Sequence, residues 1–159
     1  MKPRFWPALG VAVALGVLAQ AQIAAGKGAI PGSDRERFIG AWHLVSLQSP
    51  GADGKVVGVP GLRGTLIYTR DGHMSVGIMY PASATSLSND YVKNGYEASF
   101  GIYDVDEAKH TVTHHVQGSI TRGLVGKSLV RVYRFTDDGR LIITSPRRDE
   151  HWSVTWEHD

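Results

Sequence analysis

The stretch GIYDVDEAKHTVTHHVQGS, residues 101–119, decides the fold, because it carries the clearest hairpin pattern in the chain. Apolar and other residues alternate from 101 to 105, turn-forming residues occupy 106–109, and the alternation resumes at Thr111. A period of two is typical of a strand with one buried face, and a short polar break joins two such strands. The stretch therefore predicts a β-hairpin.

The inner face of this hairpin is predicted to carry two polar side chains, Tyr103 and His114. With a four-residue turn at 106–109, Tyr103 faces Val112 and is a diagonal neighbour of His114. His115 then points to the opposite face, because neighbours on a strand alternate. One phenol and one imidazole among valines have the composition of a pocket wall.

Residues 1–21 have the pattern of a secretory signal peptide. Lys2 and Arg4 precede an apolar run at 8–19, and residues 19–21 (AQA) provide a small-x-small cleavage site. A single transmembrane anchor is the alternative, although the run of about 12 residues is shorter than the roughly 20 that a spanning helix needs. We therefore predict export to the periplasm or the medium, without a stable membrane anchor.

The exported chain is predicted to contain one domain. Residues 22–37 read as a flexible lead-in, and residues 38–159 form the domain. The sequence has no cysteine, so disulfides cannot contribute to its stability. Without Lys2 and Arg4, the 17 basic residues become 15, equal to the 15 acidic ones. This balance favours neither nucleic acid nor an anionic membrane as a partner.

Six further segments have strand patterns, and two pairs of them are joined at Asp-Gly dipeptides that suit tight hairpin turns. These segments are 38–47, 65–69, 74–80, 127–135, 140–145 and 151–157, with a short extended piece at 55–57 in the first long loop. Eight short strands joined mostly by tight turns indicate an antiparallel barrel or sandwich, and eight strands can close a barrel around one small ligand. Residues 81–99 interrupt the pattern between the third and fourth strands, where we predict a helical or loop lid.

Five segments, taken in order, resemble the bacterial and fungal lipocalin-like domain family. They are 40–46 (GAWHLVS), 64–69 (GTLIYT), 71–76 (DGHMSV), 100–105 (FGIYDV) and 111–116 (TVTHHV). The Gly-x-Trp at 40–42 is also similar to the first-strand signature of lipocalins, in which the tryptophan plugs the closed end of the barrel. The resemblance, which extends over about residues 38–156, implies an all-β fold, an eight-stranded antiparallel up-and-down barrel with a small-molecule cavity. It implies no particular reaction, because such barrels mostly bind hydrophobic ligands and a minority act as isomerases or cyclases.

His114 and Arg131 are the candidates with the most specific chemistry. In an apolar cavity the His114 ring would be neutral and able to hydrogen-bond a ligand or move a proton. The simpler interpretation is a buried histidine bonded to Tyr103 or to the backbone. Arg131 and Tyr133 share a face, and the Arg-x-Tyr pair is similar to the carboxylate-binding pair of fatty-acid-binding proteins. The opposite face offers two valines, so the pattern leaves open which side faces inward.

Apolar and phenolic side chains complete the predicted ligand-binding wall. The strand at 74–80 places its apolar residues on one side, and Tyr68 could offer a hydroxyl to a ligand. The full predicted set is Tyr68, Met74, Val76, Ile78, Tyr103, His114, Arg131 and Tyr133. Trp42, Trp152 and Trp156 are interpreted as core side chains instead.

The sequence carries no motif for a cofactor or a metal ion. Residues 123–128 (GLVGKS) end like a phosphate-binding loop, but Thr121 replaces the first glycine and a strand pattern follows. The seven histidines lack the spacing of zinc ligands, and the sequence has neither a Gly-x-Ser-x-Gly elbow nor a cysteine for hydrolase chemistry. No cofactor is predicted.

Together these features predict an exported binding protein that holds a mostly apolar molecule, with or without a carboxylate, in its barrel. The alternative is a cofactor-independent isomerase or cyclase, in which His114 moves a proton while Tyr103 or Arg131 stabilises the developing charge. A second alternative is a structural envelope protein whose barrel is filled by side chains. The identity of the ligand and the oligomeric state are open at this point.

Overall fold

The computed structural model describes residues 32–50, 54–84 and 88–159. The predicted signal peptide and the first part of the predicted lead-in lie outside these residues. Within the described part of the chain, no helix is long and apolar enough to cross a bilayer.

Nine strands and one α-helix make up the regular structure of the described residues, with short 3-10 turns at Ala82–Ala84 and Arg122–Leu124. In chain order they are α1 (Asp34–Phe38), β1 (Gly40–Pro50), β2 (Val56–Gly58), β3 (Arg63–Tyr68), β4 (His73–Met79), β5 (Tyr96–Asp106), β6 (Thr111–Ser119), β7 (Ser128–Phe135), β8 (Leu141–Thr144) and β9 (Ser153–His158). All neighbouring strands are antiparallel, and β1 pairs with both β3 and β9, which closes the sheet. Because β2 adds only to the end of β1, the barrel itself has eight strands. The predicted eight-stranded up-and-down barrel is confirmed.

The central hairpin of β5 and β6 forms as predicted, but its register is shifted. The turn occupies residues 107–110 instead of 106–109, and His110 adopts a φ of 50° in it. Tyr103 therefore pairs directly with His114, and the predicted pairing with Val112 is wrong. Tyr103 and His114 nevertheless share one face, as predicted, because directly paired residues project to the same side of a sheet.

A short helix stands where the sequence indicated a flexible lead-in and the start of the first strand. Ser33 caps α1 by accepting a hydrogen bond from the backbone N–H of Glu36. Phe38 is not part of β1, which begins at Gly40; its side chain is fully buried in the barrel end. The indole N–H of Trp42 donates to the Phe38 carbonyl over 2.9 Å. Trp42 thereby satisfies a free carbonyl at the helix end and closes this end of the barrel.

The described residues of the segment at 81–99 form the 3-10 turn at Ala82–Ala84, a loop and the first residues of β5, so the loop alternative of the predicted lid holds at 88–95. The Asn89 side chain accepts hydrogen bonds from the N–H groups of Tyr91 and Val92, as in an Asx turn. Asn94 and Gly95 then adopt φ values of 51° and 77°, which are incompatible with a continuing helix. The lid is therefore a loop at residues 88–95.

Candidate ligand-binding site

The inner wall of the barrel is divided into an aromatic end and a cavity. At the α1 end, the Phe38 ring lies 5.0 Å from the ring of Tyr68 and 4.9 Å from that of Tyr133, both edge-on. The Tyr103 hydroxyl donates to the Thr69 carbonyl over 3.0 Å, and the Tyr133 hydroxyl donates to the Asp34 carboxylate over 2.8 Å. The hydroxyls of Tyr103 and Tyr133 are therefore already hydrogen-bonded within the closed end of the barrel.

The other half of the barrel contains a partly open cavity of about 160 Å³. Its walls are mostly aliphatic and aromatic, and one side is the 88–95 loop, which contributes Asn89, Tyr91 and Val92. The side chains with polar groups that line the cavity are Ser49, Tyr80, Asn89, Tyr91, Glu97, Ser99, His114 and Arg131. This combination of apolar walls and a few convergent polar groups is typical of a small-molecule site.

His114 lies in the cavity wall and is held by Tyr68. The Tyr68 hydroxyl and His114 Nε2 are 2.7 Å apart, and both side chains are buried. Burial, followed by the charge of Arg131, lowers the pKa of His114 to about 3, and burial also raises the pKa of the Tyr68 phenol. Both groups are therefore neutral near pH 7 and share one hydrogen bond, in which the tautomer of the ring decides the donor. The predicted buried histidine is present, but its partner is Tyr68 and not Tyr103.

Arg131 faces the cavity, which answers the question that the sequence pattern left open. Its guanidinium carbon lies 5.0 Å from the ring centroid of Trp152 and 5.3 Å from that of Tyr91. One of its N–H groups donates to the Val130 carbonyl, and no carboxylate of the described residues forms an ion pair with it. Tyr133 lies on the same face but at the closed end, so the Arg-x-Tyr pair does not act together.

Glu97 is the cavity residue that the sequence reasoning missed. It pairs with Ile78 across β4 and β5 and is partly buried in the cavity wall. Burial raises its pKa to about 7, against the opposing effect of the Arg131 charge. Continuing the alternation of Tyr103 backwards to residue 97 would have placed Glu97 on the inner face.

The eight predicted ligand-binding residues divide evenly between the two halves of the barrel. Val76, Ile78, His114 and Arg131 line the cavity. Met74, Tyr68, Tyr103 and Tyr133 are buried in the core cluster without lining it. Trp156 is buried in the core cluster and Trp152 packs against it, in agreement with their interpretation as core side chains, and both also line the cavity.

Two features outside the barrel are weaker candidates. A wider recess of about 510 Å³ lies beside α1, but exposed charged side chains such as Arg37 and Arg134 form much of its wall. On the outer surface His115 bonds Ser128 through Nδ1 and Asp104 through Nε2, at 2.8 and 2.9 Å. This is the reverse of the order in a serine hydrolase, and Asp104 is largely exposed. The described residues contain no group of side chains arranged to hold a metal ion.

Comparison with known sequences identifies the family. A profile of the lipocalin-like domain matches residues 39–158, nearly all of the barrel. The chain belongs to the lipocalin-like domain family. No curated protein sequence matches this lipocalin-like chain significantly. A solved structure of a mutant of the fluorescent protein UnaG is similar, with 15% identity, 77% coverage of this chain, 96% coverage of that chain and a TM-score of 0.41. Family membership and the cavity together support a small-molecule-binding role.

Proposed function

We propose that this protein is an exported binding protein whose cavity holds a compact, mostly apolar ligand with a carboxylate or a similar anionic group. The observation that carries the proposal is Arg131, which presents a permanent positive charge to an otherwise largely apolar cavity. Trp152 and Tyr91 orient the guanidinium by stacking, but they do not neutralise it. A charge in such a place is costly unless a partner compensates it, and the planar guanidinium fits a carboxylate through two hydrogen bonds.

The cavity volume sets the size of this ligand. About 160 Å³ is close to the ~150 Å³ of an engineered apolar cavity that binds benzene. It is smaller than the roughly 300 Å³ at which pockets for drug-sized ligands begin. An enclosed ligand is therefore about one ring in size, and a longer molecule would extend beyond the 88–95 loop.

Two observations favour binding over the alternatives. A proton-shuttling His114 would need a pKa near the working pH, whereas its pKa is lowered to about 3 and its Nε2 is occupied by Tyr68. A barrel filled by side chains would leave no cavity, whereas the one present has room for about five waters at ~30 Å³ each.

Native mass spectrometry of the protein purified from its own export compartment tests the proposal. The expected result is a complex whose added mass corresponds to a small organic acid. Binding of small aromatic acids would also quench the fluorescence of Trp152 and Trp156, which line the cavity. A ligand-free mass together with no response to any such acid would contradict the proposal.

An Arg131→Gln variant is expected to bind a small carboxylate such as benzoate about ten- to a hundredfold more weakly than the wild-type protein. The reason is the loss of a charge-assisted hydrogen bond, which typically contributes about 1.5–3 kcal/mol. Isothermal titration calorimetry measures the difference. Arg134→Gln is the matched control, because this substitution removes the same charge from the exposed outer face of the same strand. Equal weakening by both variants would contradict a specific contact.

Export is the second part of the proposal, and it is supported by the pattern of residues 1–21. The N-terminal sequence of the protein recovered from the periplasm or the medium is expected to begin at Gln22. Replacing Ala19 and Ala21 by bulky residues should block this cleavage. Recovery of the uncut chain from the cytoplasm would contradict export.

A further inference from the structure

Glu97 is the second charged side chain of the cavity, and it has no partner. Its carboxylate makes no hydrogen bond and no ion pair with any residue that the structure describes. An acidic group in a confined, largely apolar site is destabilising unless hydrogen-bond donors surround it. Because the described residues supply none, a hydrogen-bond donor on a bound ligand would compensate this carboxylate.

The other titratable and charged groups in the cavity leave Glu97 and Arg131 as its two poles. These groups are Tyr80 directly after β4, Tyr91 in the loop, His114 on β6 and Arg131 on β7. His114 is neutral, and burial followed by the charge of Glu97 raises the pKa of Tyr80 to about 12, so that this phenol is neutral too. Glu97 and Arg131 interact electrostatically without forming an ion pair. Glu97 therefore offers the cavity an acceptor and Arg131 offers it donors, and no direct ion pair joins the two side chains.

We propose that the cavity selects a compact ring compound with two polar groups, an anionic group for Arg131 and a protonated amine or hydroxyl for Glu97. This selectivity rests on the proposed function, because it concerns the same cavity. A ligand with only the anionic group would leave Glu97 unpaired and bring a second negative charge beside it. A ligand with only the cationic group would leave Arg131 without a partner and bring a second positive charge beside it. Only a molecule with both groups compensates both side chains.

Two probes that differ in one group test this inference. Benzoate has the ring and the acid, and 4-(aminomethyl)benzoate adds a protonated amine at the far end. Isothermal titration calorimetry at about pH 8, where Glu97 is ionised, is expected to show the amine probe binding at least about tenfold more tightly to the wild-type protein.

The variant Glu97→Gln should change the two affinities in opposite directions. It removes the partner of the amine and also the charge that repels benzoate, so the preference should fall to about twofold or less. A fold defect would weaken both probes, so opposite changes exclude it. Asp137→Asn is the matched control, since it makes the same charge change at an exposed turn away from the cavity and should leave both affinities unchanged.

The outcomes separate this inference from the function on which it rests. Equal affinities of the two probes for the wild-type protein, or an unchanged preference in Glu97→Gln, would overturn the proposed selectivity. The proposed function would still stand in that case, provided that benzoate binds. Failure of both probes to bind the wild-type protein would overturn the selectivity together with the proposed function.

Discussion

At about pH 8, a Glu97→Gln variant is expected to be more stable than the wild-type protein by about 3 kcal/mol. Burial raises the pKa of the Glu97 carboxyl from its ordinary 4.5 to about 7, although the charge of Arg131 opposes this. Between these two values the folded protein keeps a proton that the unfolded chain has lost. The free energy of unfolding therefore falls as the pH rises through this window, and the loss is complete above the folded-state pKa. Glutamine has nearly the same shape and never ionises, so the variant avoids this loss.

Urea unfolding, followed by tryptophan fluorescence at about pH 4 and about pH 8, measures the effect. The two proteins should have similar stability at the lower pH, where the carboxyl is neutral in both states. Asp137→Asn, at an exposed turn, should change the stability by less than about 0.5 kcal/mol at either pH. An equal gain at both pH values would instead indicate a packing effect, and no gain at the higher pH would show that the carboxyl is not penalised.

The sequence pattern predicts the barrel because most of its strands bury an apolar inner face. Where the inner face is apolar, as at Val112 and Val116 on β6, alternation is visible and the strand is found. On β5 the inner residues nearest the cavity are Glu97 and Ser99, which are polar. The alternation continues there, but its apolar residues Tyr96 and Phe100 are exposed on the outer face. This part of β5 is therefore included in the predicted helical or loop lid, and the inverted pattern marks the cavity end of the barrel.

Two other differences come from backbone conformation and tertiary packing, which the pattern of apolar residues does not specify. The shifted hairpin register depends on His110, which adopts a left-handed backbone conformation that residues other than glycine seldom take. The short α1 depends on the burial of Phe38 and on its contact with Trp42, which are tertiary effects. The division of the inner wall into an aromatic end and a cavity has the same origin. Period-two patterning predicts which face a residue occupies, but not its depth along the barrel axis.

The second large effect on stability comes from His114. It makes the free energy of unfolding rise with pH, whereas Glu97 makes it fall. Burial, followed by the charge of Arg131, lowers the pKa of His114 from 6.5 to about 3. In the unfolded chain, His114 binds a proton once the pH falls below its ordinary pKa of 6.5. In the folded protein, it binds one only near pH 3. The neutral ring thus contributes stability that is complete above 6.5 and is lost as the pH falls toward 3, by on the order of 4 kcal/mol.

In the wild-type protein these two slopes should cancel between about pH 4.5 and 6.5, because one proton is gained and one is lost across that window. The His114 effect is therefore best measured in the Glu97→Gln background, by comparison with the double variant that also carries His114→Gln. The glutamine amide can accept from the Tyr68 hydroxyl or donate to it, so the buried phenol keeps a partner.

The single variant should lose about 4 kcal/mol of unfolding free energy between about pH 6.5 and 3 in excess of the double variant. Exposed carboxylates with lowered pKa values, such as Asp71 and Asp138, also contribute to acid unfolding, but they are present in both proteins and cancel in the comparison. Parallel pH profiles for the two variants would mean that His114 titrates normally in the folded barrel. In that case the ring would not be buried beside Tyr68 and Arg131, and it would again be available as a proton shuttle near neutral pH.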